Sequence, residues 1–508
     1  MPQEARTLTD EERAFFSLIK EATLTNPFSA RRDELDRKIS GTDAAGGPSR
    51  YLEKAVEAVK ERIGSLEETG RGNINLFSGQ DRQLVESLFA FDFFYSFRKQ
   101  FDQLILDQID AGDRVIKLAF ANAAKATLQS RGFGEESIKS IIEESYQFRR
   151  AFFFINRNLV GKSGVMQKLR LDLWNNIFTH NFELYKTYLR DRMEDFSTII
   201  LGETGAGKGA VAAAIGNSGY IPFDMRKNRF TESFTRFFIS INLSQFPESI
   251  IESELFGHKK GAFTGAIDDY SGIFSRCGLH GSILLDEIGE MSLPMQIKLL
   301  QVLQERFYYP VGSRKKERFY GRVIAATNGS IDKLRHEGVF RDDFYYRLCS
   351  DVIYVPSLRE RLEQDADELD NLITVIVKRT VGRDAPEFVK MVQDVIDHQL
   401  GRHYPWPGNV RELEQCVRRV LLKKDYTGDN KILCNDLKAE LADGLENGTL
   451  PANRLIVGYC KLLYERFGTY EEVAKRTKLD RRTVTKYIKE WDAEKDVEND
   501  PAMSPIND

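Results

Sequence analysis

Apolar residues in the N-terminal part of the chain recur at three- and four-residue spacing, the period of helices with one buried face. Thr9 and Glu12 form a capping box ahead of Ala14, Phe15, Phe16 and Leu18, which predicts a helix start. The loop GTDAAGGPS, Gly41 to Ser49, punctuates the chain before a second helical region. From Gln80 to Ile109 the spacing of Leu84, Leu88, Phe91, Tyr95, Leu104 and Ile109 predicts one helix apolar over much of its girth, an interior member of a bundle. A further helix is predicted over Glu135 to Phe154, ending in AFFFI.

The pattern changes near Leu159. LVGKSGVMQKLR, Leu159 to Arg170, leads through a charged helical segment to the strand-like STIILGE, Ser197 to Glu203. Short β-rich runs then alternate with helices, the signature of a parallel sheet with crossover helices. The expected organisation is a helical N-terminal domain over 1–155, an α/β core over 156–360 and a helical region over 361–430. A polar linker over 431–454, a small helical unit over 455–491 and a disordered acidic tail over 492–508 follow.

Composition narrows the class. The 508 residues, 42% hydrophobic and 30% charged, suit several globular domains. A formal charge of −4 gives no global basic bias, so nucleic-acid binding requires a local patch. The five cysteines, Cys277, Cys349, Cys416, Cys434 and Cys460, show no zinc-ligand spacing and fit a reducing cytoplasm. No apolar run approaches the roughly 20 residues of a membrane helix, so a cytoplasmic protein without membrane contact is expected.

Two strings carry phosphate chemistry. GETGAGKG places Gly202, Glu203, Thr204, Gly205, Ala206, Gly207, Lys208 and Gly209 between a β run and the helix-forming AVAAAI. Glycines let backbone N–H groups face a phosphate, the helix N-terminus adds partial positive charge, and Lys208 reaches the outer phosphates of ATP. Gly209 stands where the generic pattern has a hydroxyl for magnesium. In SILLDEIGEM, Asp286 and Glu287 end an apolar strand, where one carboxylate holds Mg2+ directly or through water and the other polarises the attacking water.

Between these strings lies ESELFGHKKGAFTGA. Its tail, Gly261, Ala262, Phe263, Thr264, Gly265 and Ala266, suits an exposed loop tip offering aromatic area beside a hydroxyl. It resembles the signature with which the bacterial enhancer-binding proteins, AAA+ ATPases that activate sigma-54 RNA polymerase, touch the sigma factor. The resemblance implies that Asn242 orients the Walker B glutamate and that Thr327 and Asn328 sense the γ-phosphate. It also implies that Arg341 and Arg347 extend toward a neighbouring subunit's nucleotide and that Arg411, in WPGNVREL, is the lid arginine. Fingers acting in trans imply a homo-oligomeric ring, usually a hexamer in this family. The helix GAVAAAIG departs from the family pattern, with Ala213 and Gly216 replacing an arginine and a histidine.

At the C-terminal end, FGTYEEVAKRTKLDRRTVTKYIKEW has helix-turn-helix form, with Val473, Ala474, Leu479, Val484, Tyr487 and Ile488 apolar and a basic opposite side. Arg481, Arg482, Thr485, Lys486 and Lys489 are the candidate contacts to double-stranded DNA, and the segment resembles the family's Fis-type module. The expected fold is therefore multidomain: helical N-terminal domain, α/β AAA+ P-loop ATPase with helical lid, and C-terminal helix-turn-helix. The expected function is ATP-dependent activation of transcription by remodelling the sigma-54 holoenzyme closed complex. Two alternatives stay open: a DNA-binding regulator that keeps the AAA+ fold without remodelling, and an AAA+ motor acting on another protein. The input to the N-terminal region, whether phosphorylation, small ligand or partner protein, is not encoded in a motif.

Overall fold

The computed structural model describes residues 6–41, 47–402, 404–428 and 450–498, together with Leu441, Leu445 and Gly448. Much of the expected linker and residues 499–508 lie outside the described residues.

Among the described residues, eight helices of ten or more residues precede the sheet: α1 (Asp10–Leu24), α2 (Ala30–Ser40), α3 (Pro48–Glu68), α4 (Gly79–Ser96), α5 (Arg98–Ala111), α6 (Ala121–Ser130), α7 (Glu135–Asn158) and α8 (Gly164–Phe178). The capping box at Thr9 and Glu12 is formed, each side chain bonding the other's backbone. The single helix expected from Gln80 to Ile109 is two. Phe97, at φ −97° and ψ 6°, leaves helical geometry, and its ring packs against Phe93 and Phe120, so the chain turns to bury it. Apolar spacing alone runs on through that corner.

The α/β region contains a five-stranded parallel sheet of β1 (Thr198–Leu201), β2 (Phe238–Asn242), β3 (Ser282–Asp286), β4 (Arg322–Thr327) and β5 (Asp351–Tyr354), in the order β2-β3-β4-β1-β5. The three central strands are covered on two faces. Ile199, Ile283, Leu285, Val323 and Ala325 pack into one core, while Ile200, Leu284, Ile324 and Ala326 pack with α9 (Lys208–Gly216) and the N-terminal helices into the other. The N-terminal helices thus share a continuous core with one face of the sheet. The expected boundaries at 155 and 360 fall inside helices Glu135–Asn158 and Leu358–Gln364, because these helices bridge the regions rather than end with them.

The helices Ala452–Phe467, Tyr470–Thr477 and Arg481–Glu498 pack around Cys460, Leu463, Val473, Val484 and Ile488. The last helix continues past the end expected at 491, since no Gly or Pro intervenes before Pro501. No helix among the described residues is long and apolar enough to cross a membrane. Cys277, Cys349, Cys416 and Cys460 form no disulfide among the described residues, and burial pushes the Cys277 thiol up to about 12.

Candidate functional site

Strand register brings the two phosphate strings together. Asn242 pairs with Asp286 across β2 and β3, Asp286 pairs with Ala326, and Leu201 pairs with Thr327, so their carboxyl ends open onto one edge. That edge is where an α/β sheet places a ligand crevice. The loop leaving β1 wraps it: Gly205, at φ +80°, lies so close to the Gly408 carbonyl that a Cβ would sit 2.2 Å from it. Only glycine permits that approach. Lys208, at the start of α9, is 7% exposed and donates to the carbonyls of Gly202 (2.9 Å) and Glu203 (3.2 Å). Burial lowers its pKa, opposed by Glu287 and Asp286.

A cleft of about 330 Å³ lies over this loop. Thr204 to Ala210, Asn242, Asp286, Glu287 and Arg411 form its polar floor. Its apolar wall comes from Leu159, Val160, Met166, Leu169, Leu372 and Ile376. Such a division suits a nucleotide, with phosphates on the loop and a base against hydrocarbon.

The acids at the end of β3 differ in setting. Asp286 accepts the Glu287 N–H (3.1 Å), and Glu287 sits in the left-handed region at φ +56°. A non-glycine residue is rarely held there, and such geometry concentrates at functional sites. The Glu287 carboxylate accepts from the Asn328 N–H (3.4 Å), while the Asn328 amide donates to Thr204 Oγ1 (2.8 Å). One chain therefore runs from the P-loop through Asn328 to Glu287. Asn242 does not join it: its Oδ1 accepts from Ser244 N (3.0 Å) and Ser244 Oγ (2.7 Å), closing a local turn. Thr327 is 2% exposed and its hydroxyl accepts from Gly329 N.

Arg341 and Arg347 do not line the cleft. Arg341 pairs with Asp343 (2.7 Å), and Arg347 donates to the Leu303 carbonyl (2.8 and 3.1 Å). Spacing did not single out Asn409, which is fully buried and donates to Glu203 Oε2 (3.0 Å) and Thr204 O (3.1 Å) while accepting from Leu358 N. Its place in WPGNVREL, two residues before Arg411, was the available signal.

The loop Gly261–Ala266 stands clear of the sheet. Gly261 N bonds Ala266 O (2.8 Å), and Ala266 N bonds Phe263 O (3.0 Å). Gly261 and Gly265 have positive φ, Phe263 is 46% exposed, and Thr264 is exposed. Its base is pinned by reciprocal backbone bonds between His258 and Tyr270 and by Lys259–Asp269 (2.8 Å).

At the C-terminal helices, Arg482, Lys486 and Lys489 are exposed along one helix. Arg481 is paired with Glu471 (2.8 Å), and the Thr485 hydroxyl donates to the Arg481 carbonyl.

Residues 179–354 match the sigma-54 interaction domain, and residues 363–453 match an AAA+ ATPase lid domain. Over these residues the chain carries a sigma-54 interaction domain followed by an AAA+ lid domain. Curated relatives include the DNA-binding transcriptional regulator NtrC of Rhizobium meliloti, 35% identical over 318 residues, covering 61% of this chain and 58% of that protein. NtrC of Azospirillum brasilense is 37% identical over 56% of this chain and 51% of its own. The regulatory protein AtoC of Escherichia coli is 36% identical over 49% of this chain and 50% of its own. The chain spans about half the length of the curated relatives it matches. The departure at Gly216 has a steric reason, since a Cβ there would lie 2.3 Å from the Phe238 ring.

Proposed function

We propose that this chain is an ATP-dependent transcriptional activator that binds double-stranded DNA, assembles as a hexameric ring and remodels the sigma-54 RNA polymerase closed complex. The observation that carries the reading is the exposed, complete Gly261–Ala266 loop tied mechanically to Glu287. Beyond Glu287 the chain turns through Ile288–Glu290 to Ser292, whose hydroxyl donates to Glu248, and Lys298 pairs with Glu252 (2.5 Å). Both acids belong to the helix Glu248–Phe256 that delivers the loop. A change in what Glu287 touches is transmitted along these contacts.

In the cleft, P-loop N–H groups and Lys208 bind the phosphates of ATP, Arg411 adds positive charge, and Glu287 orients the attacking water and accepts its proton. Asp286 is the residue placed to hold Mg2+, directly or through water, because Gly209 offers no side-chain oxygen. Bound there, the metal neutralises phosphate charge. The hydrogen-bond chain makes Asn328 the positioning residue for Glu287. Asn328→Ala keeps the backbone N–H that Glu287 accepts but cuts the side-chain tie to Thr204, so it should lower kcat by about tenfold, whereas Asn242→Ala, whose partner is Ser244, should lower it less. Steady-state ATPase rates of the two variants check this order.

DNA contact rests on Arg482, Lys486 and Lys489, while Arg481 and Thr485 orient the helix. Lys486→Ala should weaken duplex binding similarly across sequences and reduce the salt slope, log K against log salt, by about 1. Fluorescence anisotropy between low and moderate salt measures it. The function itself is tested with a sigma-54 promoter: purified chain plus ATP should yield heparin-resistant open complexes, and a non-hydrolysable ATP analogue should not. Equal opening with both nucleotides would reject the reading.

A further inference from the structure

A second cavity among the described residues is larger than the nucleotide cleft. It lies among the N-terminal helices, has a volume of about 630 Å³, and falls within the range of small-molecule sites. Phe91, Phe94, Phe148, Phe152 and Trp174 give it aromatic walls, and Phe148 stacks on Trp174 at 5.7 Å. A bundle that merely packed itself would close such a space.

Its polar groups are not evenly matched. Arg32 is paired with Asp36 (2.9 Å), Arg149 with Asp102 (2.6 Å), and Glu144 with Lys186 (2.6 Å). Arg98 and Lys99, also in the wall, have no acidic partner among the described residues. Against these two cations the wall holds one remaining acid, Asp33, whose pKa is raised by burial. Ser145 is 4% exposed and lines the cavity, and its hydroxyl makes no hydrogen bond among the described residues. The space thus offers an aromatic interior, a hydroxyl open to it, and two unpaired cations against one acid.

The walls also belong to elements that hold the ATPase. Helix α7 gives Ser145, Phe148 and Phe152 to the cavity. From the same helix Gln147 bonds Ser218 O (3.1 Å), and fully buried Arg150 bonds the carbonyls of Asn217 and Gly219, just beyond the P-loop helix α9. Helix α8 gives Trp174, and two residues on Asn176 donates to Thr198 Oγ1 (2.9 Å) on β1, the strand that enters the P-loop.

We propose that this cavity is an effector site for a small organic anion with a flat apolar body, and that its occupancy alters ATP turnover through α7 and α8. The coupling rests on the ATPase reading above; the binding does not. The full chain is titrated with 8-anilinonaphthalene-1-sulfonate and with N-phenyl-1-naphthylamine, which shares the ring skeleton but lacks the sulfonate. Each should show one saturable site per chain by fluorescence. The exposed-side double variant Arg98→Ala/Lys99→Ala should bind the sulfonate about tenfold more weakly and the neutral amine unchanged. Ala90→Trp, which fills the half-open wall, should weaken both. The sulfonate should change the ATPase rate of the unsubstituted chain by about twofold or more, with a tenfold higher concentration needed in the double variant. Equal sulfonate affinity in the double variant, or saturation without a change in turnover, would overturn the proposal. Absence of all ATPase activity would instead count against the proposed function, and the binding ratios would then decide the cavity alone.

Discussion

Glu287→Gln should leave ATP affinity within about threefold and lower kcat by roughly 10²- to 10⁴-fold, the usual contribution of a positioned general base. Isosteric replacement keeps the Asn328 hydrogen bond and the backbone at φ +56°, so the fold is undisturbed. What disappears is the negative charge that accepts a proton from water. Nucleotide binding depends instead on the P-loop, Lys208 and the apolar wall, none of which touches the altered group. Equilibrium binding of a fluorescent ATP analogue, set beside steady-state turnover, separates the two effects. Unchanged turnover would remove Glu287 from the chemistry.

Loss of either trans arginine should be as severe. Arg341→Ala or Arg347→Ala should reduce hydrolysis by roughly 10³-fold, the scale of an arginine finger, although neither residue lines its own cleft. Arg341 has only Asp343 to leave, which makes it free to reach a neighbour at little cost. Arg347 is anchored on the Leu303 carbonyl, so its variant also tests whether that anchor shapes the interface. Mixing Arg341→Ala subunits with Glu287→Gln subunits should restore activity, because some interfaces then combine an intact glutamate with an intact arginine. Failure of every mixture to recover activity would argue against a ring with shared sites.

The legible part of the site was the part written in contiguous strings at strand ends. Gly202–Gly209 and Asp286–Glu287 are short enough that sequence order fixes their relative geometry, and parallel register does the rest. Asn242, expected from the resemblance to orient Glu287, ends its strand beside Asp286, and in this structure an Asx turn to Ser244 takes up its side-chain oxygen. The apolar wall of the cleft joins residues near 160 to residues near 375, a pairing that no spacing rule carries. Helical periodicity revealed the N-terminal bundle but not its bend at Phe97, nor its cavity. A phenylalanine that faces another helix and one that faces a void leave the same mark on the sequence.

The central claim is that ATP hydrolysis drives sigma-54 remodelling through the Phe263 and Thr264 loop tip. It is tested most directly by measuring ATP turnover and open-complex formation in the same reaction for the unsubstituted chain and for Thr264→Ala. The loop is remote from the cleft and Thr264 is exposed, so turnover should stay within about twofold while open complexes fall by about tenfold or more. A variant that opened the promoter as well as the unsubstituted chain would contradict the account.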